Sequence, residues 1–132
     1  MNVKDYFKNG RIFVSKERFA IVKSNKPFPD SFAIIKDKNE ITIVIDQSKI
    51  NEKLKKRIIK IEKDWKILTF DMVLPFGLVG FLAEISKTLA DAGVSIFVIS
   101  SFSTDHILIK EKNLKKSINK LKILGFKVKT EV

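Results

Sequence analysis

The 132-residue sequence contains no cysteine, so it has no disulfide framework, no thiolate metal site and no thiol nucleophile. It has a single histidine, His106, which rules out a two-histidine metal site. No serine stands in a Gly-x-Ser-x-Gly elbow, and no glycine-rich loop ends in Gly-Lys-Ser or Gly-Lys-Thr. No apolar run approaches the roughly 20 residues of a membrane-spanning helix. Met1 to Gly10 carries Lys4, Asp5 and Lys8 and lacks the apolar stretch of a signal peptide. The expectation is a soluble cytoplasmic protein with no catalytic residues, no metal and no cofactor.

What the chain does have is apolar material and positive charge. Hydrophobic residues make up 45%, enough to bury a core, and the formal net charge is +11. A basic chain can neutralise phosphates, but the distribution argues otherwise. Residues 49–66 and 110–122 each carry a net +5, whereas 67–109 carries −3. Arg11, Arg18 and Arg57 are the only arginines. Because arginine makes the bidentate contacts to bases and phosphates, a lysine excess fits a solvated surface better. Neither nucleic acid nor membrane is expected as a partner.

The pattern is clearest from Trp65 onward. Trp65 to Phe70 reads as a strand. After Pro75, Gly77 and Gly80, residues Leu78, Leu82, Ile85, Leu89 and Ala92 recur on one face of a helix. Gly93 sits where a left-handed cap belongs. Val94 to Ile99 is β-branched and aromatic, hence a buried strand, and His106 to Ile109 is a second. Asn113 is placed to cap a helix with Leu114, Ile118, Leu121 and Leu124 inward and Lys115, Lys116, Lys120 and Lys122 outward. Gly125 ends it before a strand at Phe126 to Lys129. This order, βαββαβ, predicts an α+β ferredoxin-like sandwich.

The first half reads as a shortened echo. Phe19 to Val22 is a strand, and Asn25 to Pro29 stands where the second half has its first helix. Phe32 to Ile35 and Ile41 to Ile45 form a hairpin around Asp37 to Glu40. Ser48 is a candidate cap for a short helix, and Ile59 to Ile61 returns as a strand. Each half alone is small for a good core, which favours an internal duplication. The division expected is 1–62 and 63–132. Ile12 to Val14 is a candidate edge strand.

Two loops could carry chemistry. In Leu74 to Gly80, glycines leave backbone N–H groups open at a helix N-terminus, which suits a carboxylate, although Gly80 equally suits close helix–sheet packing. Ser100 to Asp105 offers hydroxyls and a carboxylate, or an ordinary turn bonded to its own backbone. His106, at a strand start, reads as a structural histidine.

Gly80-Phe81-Leu82-Ala83-Glu84-Ile85, followed by Leu89-Ala90-Asp91-Ala92-Gly93-Val94-Ser95-Ile96, resembles the ACT domain. Val94 to Ser100 and Ser103 to Glu111 are similar to short bacterial tandem-ACT proteins, akin to aspartokinase regulatory and Castor-type domains. The resemblance covers about residues 18–128, including Trp65 and the first-half hairpin. It implies a non-catalytic regulatory module in tandem with a degenerate N-terminal ACT-like half, commonly homodimeric through sheets or helices. It also implies an amino acid or similar small polar ligand. Carried over by position, the ligand residues are Phe76, Gly77, Leu78, Val79 and Gly80, facing Ser101, Thr104 and Asp105. Asp105 would take the ammonium. Many relatives carry an acid and a hydroxyl where this chain has Pro75 and Val79, which leaves a ligand-free interaction module as the alternative.

Overall fold

The computed structural model describes residues 1–130; the last two residues of the expected 63–132 segment lie outside it. The chain forms two compact units, one of residues 1–16 and 66–132, the other of residues 17–65.

The larger unit contains helix α1 (Lys4–Phe7), strand β1 (Arg11–Val14), helix α3 (Phe81–Asp91), β6 (Phe97–Ser100), β7 (Asp105–Lys110), helix α4 (Leu114–Leu124) and β8 (Lys127–Thr130). It also takes the end of a 13-residue strand, β5 (Ile58–Phe70). Strand β7 pairs with β6 and β5, β5 pairs antiparallel with β1, and β1 pairs parallel with β8. From β5 onward the order is βαββαβ, and the sheet is that of a ferredoxin-like fold with one extra strand. That extra strand is β1. Ile12 to Val14, expected at an edge, lie between β5 and β8, and Ile12 and Val14 have no exposure. Paired on both sides, β1 belongs to the core.

Each helix end has a local cause. Gly93 adopts φ +75°, Val94 N–H donates to Leu89 O at 2.9 Å, and Gly93 N–H donates to Ala90 O at 2.9 Å. This is the Schellman stop that the glycine announces. Gly125 ends α4 at φ +121°. A Cβ there would lie 2.9 Å from the Phe7 carbonyl oxygen, so the position needs glycine for both shape and space. Asn113 precedes α4, but its side chain makes no capping bond. Its carbonyl instead accepts from Ser117 Oγ at 2.8 Å.

Helix α3 buries Phe81, Ile85 and Leu89, while α4 contributes Leu121, flanked by Leu114, Ile118 and Leu124. Phe7, Phe70, Phe81 and Phe126 form one aromatic cluster, with Phe70 edge-on to Phe81 at 4.9 Å between centroids. Such pairs add about 0.5–1.5 kcal/mol each beyond burial. Strand β6 is shorter and less buried than its composition suggests. Its pattern alternates half-buried with exposed, and Val98 faces out. Among the described residues it pairs with β7 alone, so its β-branched residues serve an edge.

The smaller unit contains β2 (Phe19–Ser24), β3 (Ala33–Lys36), β4 (Ile41–Asp46), a short helix α2 (Glu52–Lys55) and the first part of β5. Its strand order is β3-β4-β2-β5. Counting each unit's strands from its own first, both follow the second–third–first–fourth order, interrupted in the larger unit by β1. Ala20, Val22, Phe28, Ile43, Ile45 and Leu54 form the core. Asn51, not Ser48, caps α2, its Oδ1 accepting from Leu54 N–H at 2.9 Å. Ser48 lies in a preceding 3-10 turn, where its N–H and Oγ both donate to Asp46 Oδ1.

The strands expected at Ile59–Ile61 and Trp65–Phe70 are one strand, β5. The polar residues between them read as a break, but Asp64 absorbs the irregularity at φ +67°. The Gln47 side chain holds it there: Nε2 donates to Asp64 Oδ1 at 2.9 Å, and Oε1 accepts from Asp64 N–H at 3.0 Å.

Candidate functional site

In the segment between β5 and α3, Leu74 N–H donates to Ser103 O at 2.7 Å. That bond ties it to the β6–β7 loop. A tight turn follows, with Leu78 N–H donating to Pro75 O at 2.9 Å. Gly80 precedes α3 at φ +91°, a left-handed conformation that glycine takes at little cost. A Cβ at Gly80 would meet nothing within 4 Å, so the residue is required by its dihedral, not by close packing. The first helical bond runs from Glu84 N–H to Gly80 O. The N–H groups at Phe81, Leu82 and Ala83 therefore precede any intrahelical acceptor, and Gly80 has no side chain to cap them.

The residues that carry them border a cavity of about 310 Å³. Its wall comes from the β5–α3 loop, the first turn of α3 and the β6–β7 loop. Of the eight residues selected from the sequence, Phe76, Leu78, Gly80, Ser101, Thr104 and Asp105 line it. Gly77 and Val79 belong to the same loop but do not line the wall, and Val79 is 84% exposed. Leu74, Pro75, Phe81, Leu82, Ala83, Ser100 and Phe102 complete it. Phe102 carried a signal: a large apolar residue amid serines and an acid has no core to join. It is edge-on to Phe76 at 5.0 Å, and both rings are about four-fifths exposed.

The polar groups of the wall are heavily engaged with one another. Thr104 Oγ1 donates to Phe70 O at 2.6 Å, closing the loop onto β5. Ser100 Oγ donates to Asp105 Oδ1 at 2.6 Å, and Ser101 Oγ donates to Thr104 O at 3.0 Å. His106 follows directly, with Nδ1 2.8 Å from Thr69 Oγ1 and Nε2 3.2 Å from Ser101 Oγ. Since the Ser101 proton goes to Thr104, the consistent neutral tautomer donates from Nε2 to Ser101 and accepts at Nδ1 from Thr69. Burial pushes the His106 imidazole below the ordinary histidine value, and the Asp105 carboxylate offsets part of that. His106 is thus a strut beneath the loop, as its place at the strand start suggests.

Asp105 is the charged side chain of this wall, and its Oδ1 already accepts one bond. The lining thus brings together one carboxylate, residues of the first turn of α3 and apolar side chains. No cluster of three or more His, Cys, Asp or Glu side chains that could hold a metal occurs among the described residues. No helix among them is long and apolar enough to cross a membrane. The lysines of α4 are exposed, as expected of a solvent face.

The sequence matches no protein of curated function. Its fold is shared with solved structures of low sequence identity. A protein from Agobacterium tumefaciens is 20% identical with a TM-score of 0.78, covering 94% of this chain and 95% of that one. A Vibrio cholerae protein of unknown function, described as a possible transport protein, is 16% identical with a TM-score of 0.73, covering 93% and 95%. The regulatory subunit of aspartate kinase from Thermus thermophilus is 8% identical with a TM-score of 0.64, covering 89% and 97%. Residues 60–122 match the family model of the ACT domain. That match falls on the segment that builds the cavity, so residues 60–122 are similar to the ACT domain, and the ferredoxin-like sheet around them agrees with it.

Proposed function

We propose that the protein is a non-catalytic regulatory module that binds an amino acid in the cavity between the β5–α3 loop and the β6–β7 loop. The observation that carries this reading is the pairing of opposite electrostatics across one small cavity. The α3 N–H groups suit a carboxylate and Asp105 suits an ammonium, the two charges every free amino acid presents. Phe76, Leu78 and Gly80 are its walls on one side, Ser101, Thr104 and Asp105 on the other, and Gly77 and Val79 set the loop's course. Residues 63–132 act as the ACT domain proper and 1–62 as a degenerate ACT-like half, except that β1 completes the sheet of the former. The setting is the cytoplasm, where free amino acids meet the enzymes that make them.

Calorimetry and thermal-shift measurements on the full chain against the standard amino acids test this reading. The expected outcome is a saturable signal for at least one of them, weakened in Asp105→Asn. Silence for all of them at millimolar concentration rejects it.

One observation favours a second reading, a ligand-free module that pairs with a copy of itself. Strand β6 has an open edge among the described residues, with Val98 exposed beside it. An exposed edge can add a strand from another chain. Sedimentation decides it: a monomer at all concentrations removes this reading.

A further inference from the structure

We infer that the cavity selects an amino acid with a large, uncharged apolar side chain, held against the Phe76–Phe102 ring pair; this rests on the amino-acid reading above and narrows it. The first argument is the count of available polar groups. A hydroxyl has one proton to donate, and those of Ser100, Ser101 and Thr104 already go to Asp105, Thr104 O and Phe70 O. Asp105 can neutralise a single ammonium, and the α3 amides a single carboxylate. A lysine, arginine, aspartate or glutamate ligand would bring a further charge that this wall does not match. Burying a charge without a partner is strongly unfavourable.

The second argument is the ring pair itself. Phe76 and Phe102 come from different loops yet meet edge-to-face at 5.0 Å, although they are 80% and 82% exposed. Both line the cavity, so a side chain seated there would cover apolar surface that otherwise faces water. Size agrees. At about 310 Å³ the cavity is at the small end of the roughly 300–1,000 Å³ typical of ligand sites. That volume accommodates one free amino acid.

The test is a calorimetric panel on the full chain, with phenylalanine, leucine and methionine against lysine, arginine, aspartate and threonine. The first three are expected to bind at least tenfold tighter than the rest. Phe76→Ala combined with Phe102→Ala is expected to weaken phenylalanine at least tenfold while leaving the melting temperature nearly unchanged, because both rings are exposed. Tighter binding of the charged or hydroxylated group, or unchanged phenylalanine affinity in the double variant, overturns the selectivity and leaves the amino-acid reading standing. Binding of nothing on the panel, with silence across the remaining amino acids, removes both.

Discussion

The two units share a strand order but differ after their first strand. In the larger unit the chain leaves β5 and builds α3, an 11-residue helix that buries Phe81, Ile85 and Leu89. In the smaller unit the chain leaves β2 and crosses Asn25 to Phe32 without a helix, placing Phe28 in the core at 2% exposure. Two prolines in that stretch, Pro27 and Pro29, remove backbone donors and disfavour a helix there. Ser31 Oγ donates to Phe28 O, and Arg57 donates to Pro27 O, so the loop is pinned without helical bonds. One aromatic side chain thus substitutes for three helical ones. The smaller unit keeps a core by this route but lacks a helix N-terminus at that place, which is what the proposed ligand carboxylate needs.

The sharpest way to break this comparison is to remove the two plugs. Phe28→Ala and Phe81→Ala are each expected to cost about 3–5 kcal/mol, as large core aromatics do. Chemical denaturation of both variants checks it. A much smaller loss for Phe28→Ala would mean that the loop does not stand in for the helix.

Next in size is the helix entry. Gly80→Ala is expected to cost about 1–2 kcal/mol from its left-handed backbone alone, since the added methyl meets nothing. Gly77→Ala meets only the flexible end of Met1 at 3.2 Å and should stay within about 0.5 kcal/mol of the parent. Equal melting temperatures for the two variants would contradict the dihedral argument.

A further contrast separates the two asparagines at helix starts. Asn51→Ala should lose about 1 kcal/mol because its side chain caps α2. Asn113→Ala should lose less, having no side-chain cap bond to remove. Paired urea titrations give both values.

The smallest effect concerns pH. His106 has a lowered folded-state pKa because it is partly buried. The unfolded chain therefore binds more protons as pH falls through about 6.5 and below, and stability declines with acidification over that window. Above it the contribution is complete. His106→Gln should flatten that part of the stability–pH curve, and an unchanged slope would place its origin elsewhere.

Most of the fold was legible where periodicity and punctuation agree. The α3 and α4 stripes, with Gly93 and Gly125 closing them, define both helices within a turn. Legibility failed where pairing partners are distant in sequence. Arg11–Val14 is too short to reveal that it is flanked on both sides, because its neighbours come from β5 and β8. Val94–Ile99 looks buried because β-branched residues suit an edge and a centre alike. The Asp64 irregularity split β5 in the reading because a polar run resembles a loop. At the site, the two loops stood out by residue type, but type cannot show how protons are shared. The Thr104 hydroxyl, a natural choice for ligand contact, is spent on Phe70 O. Phe102 went unselected because its partner, Phe76, lies on another segment.

The parallel pairing of β1 with β8 has a kinetic consequence. Arg11 lies opposite Lys127 and Val14 opposite Thr130, a closure spanning nearly the whole chain. The smaller unit, by contrast, is one uninterrupted stretch, and its most distant partners, Phe19 and Trp65, are much nearer to each other in sequence. Long-range closure carries a greater entropic cost and forms more slowly than local pairing. The smaller unit should therefore assemble first. The larger one stays open, with Phe126 and Leu121 lacking part of their cover, until β8 has been synthesised and docks against β1.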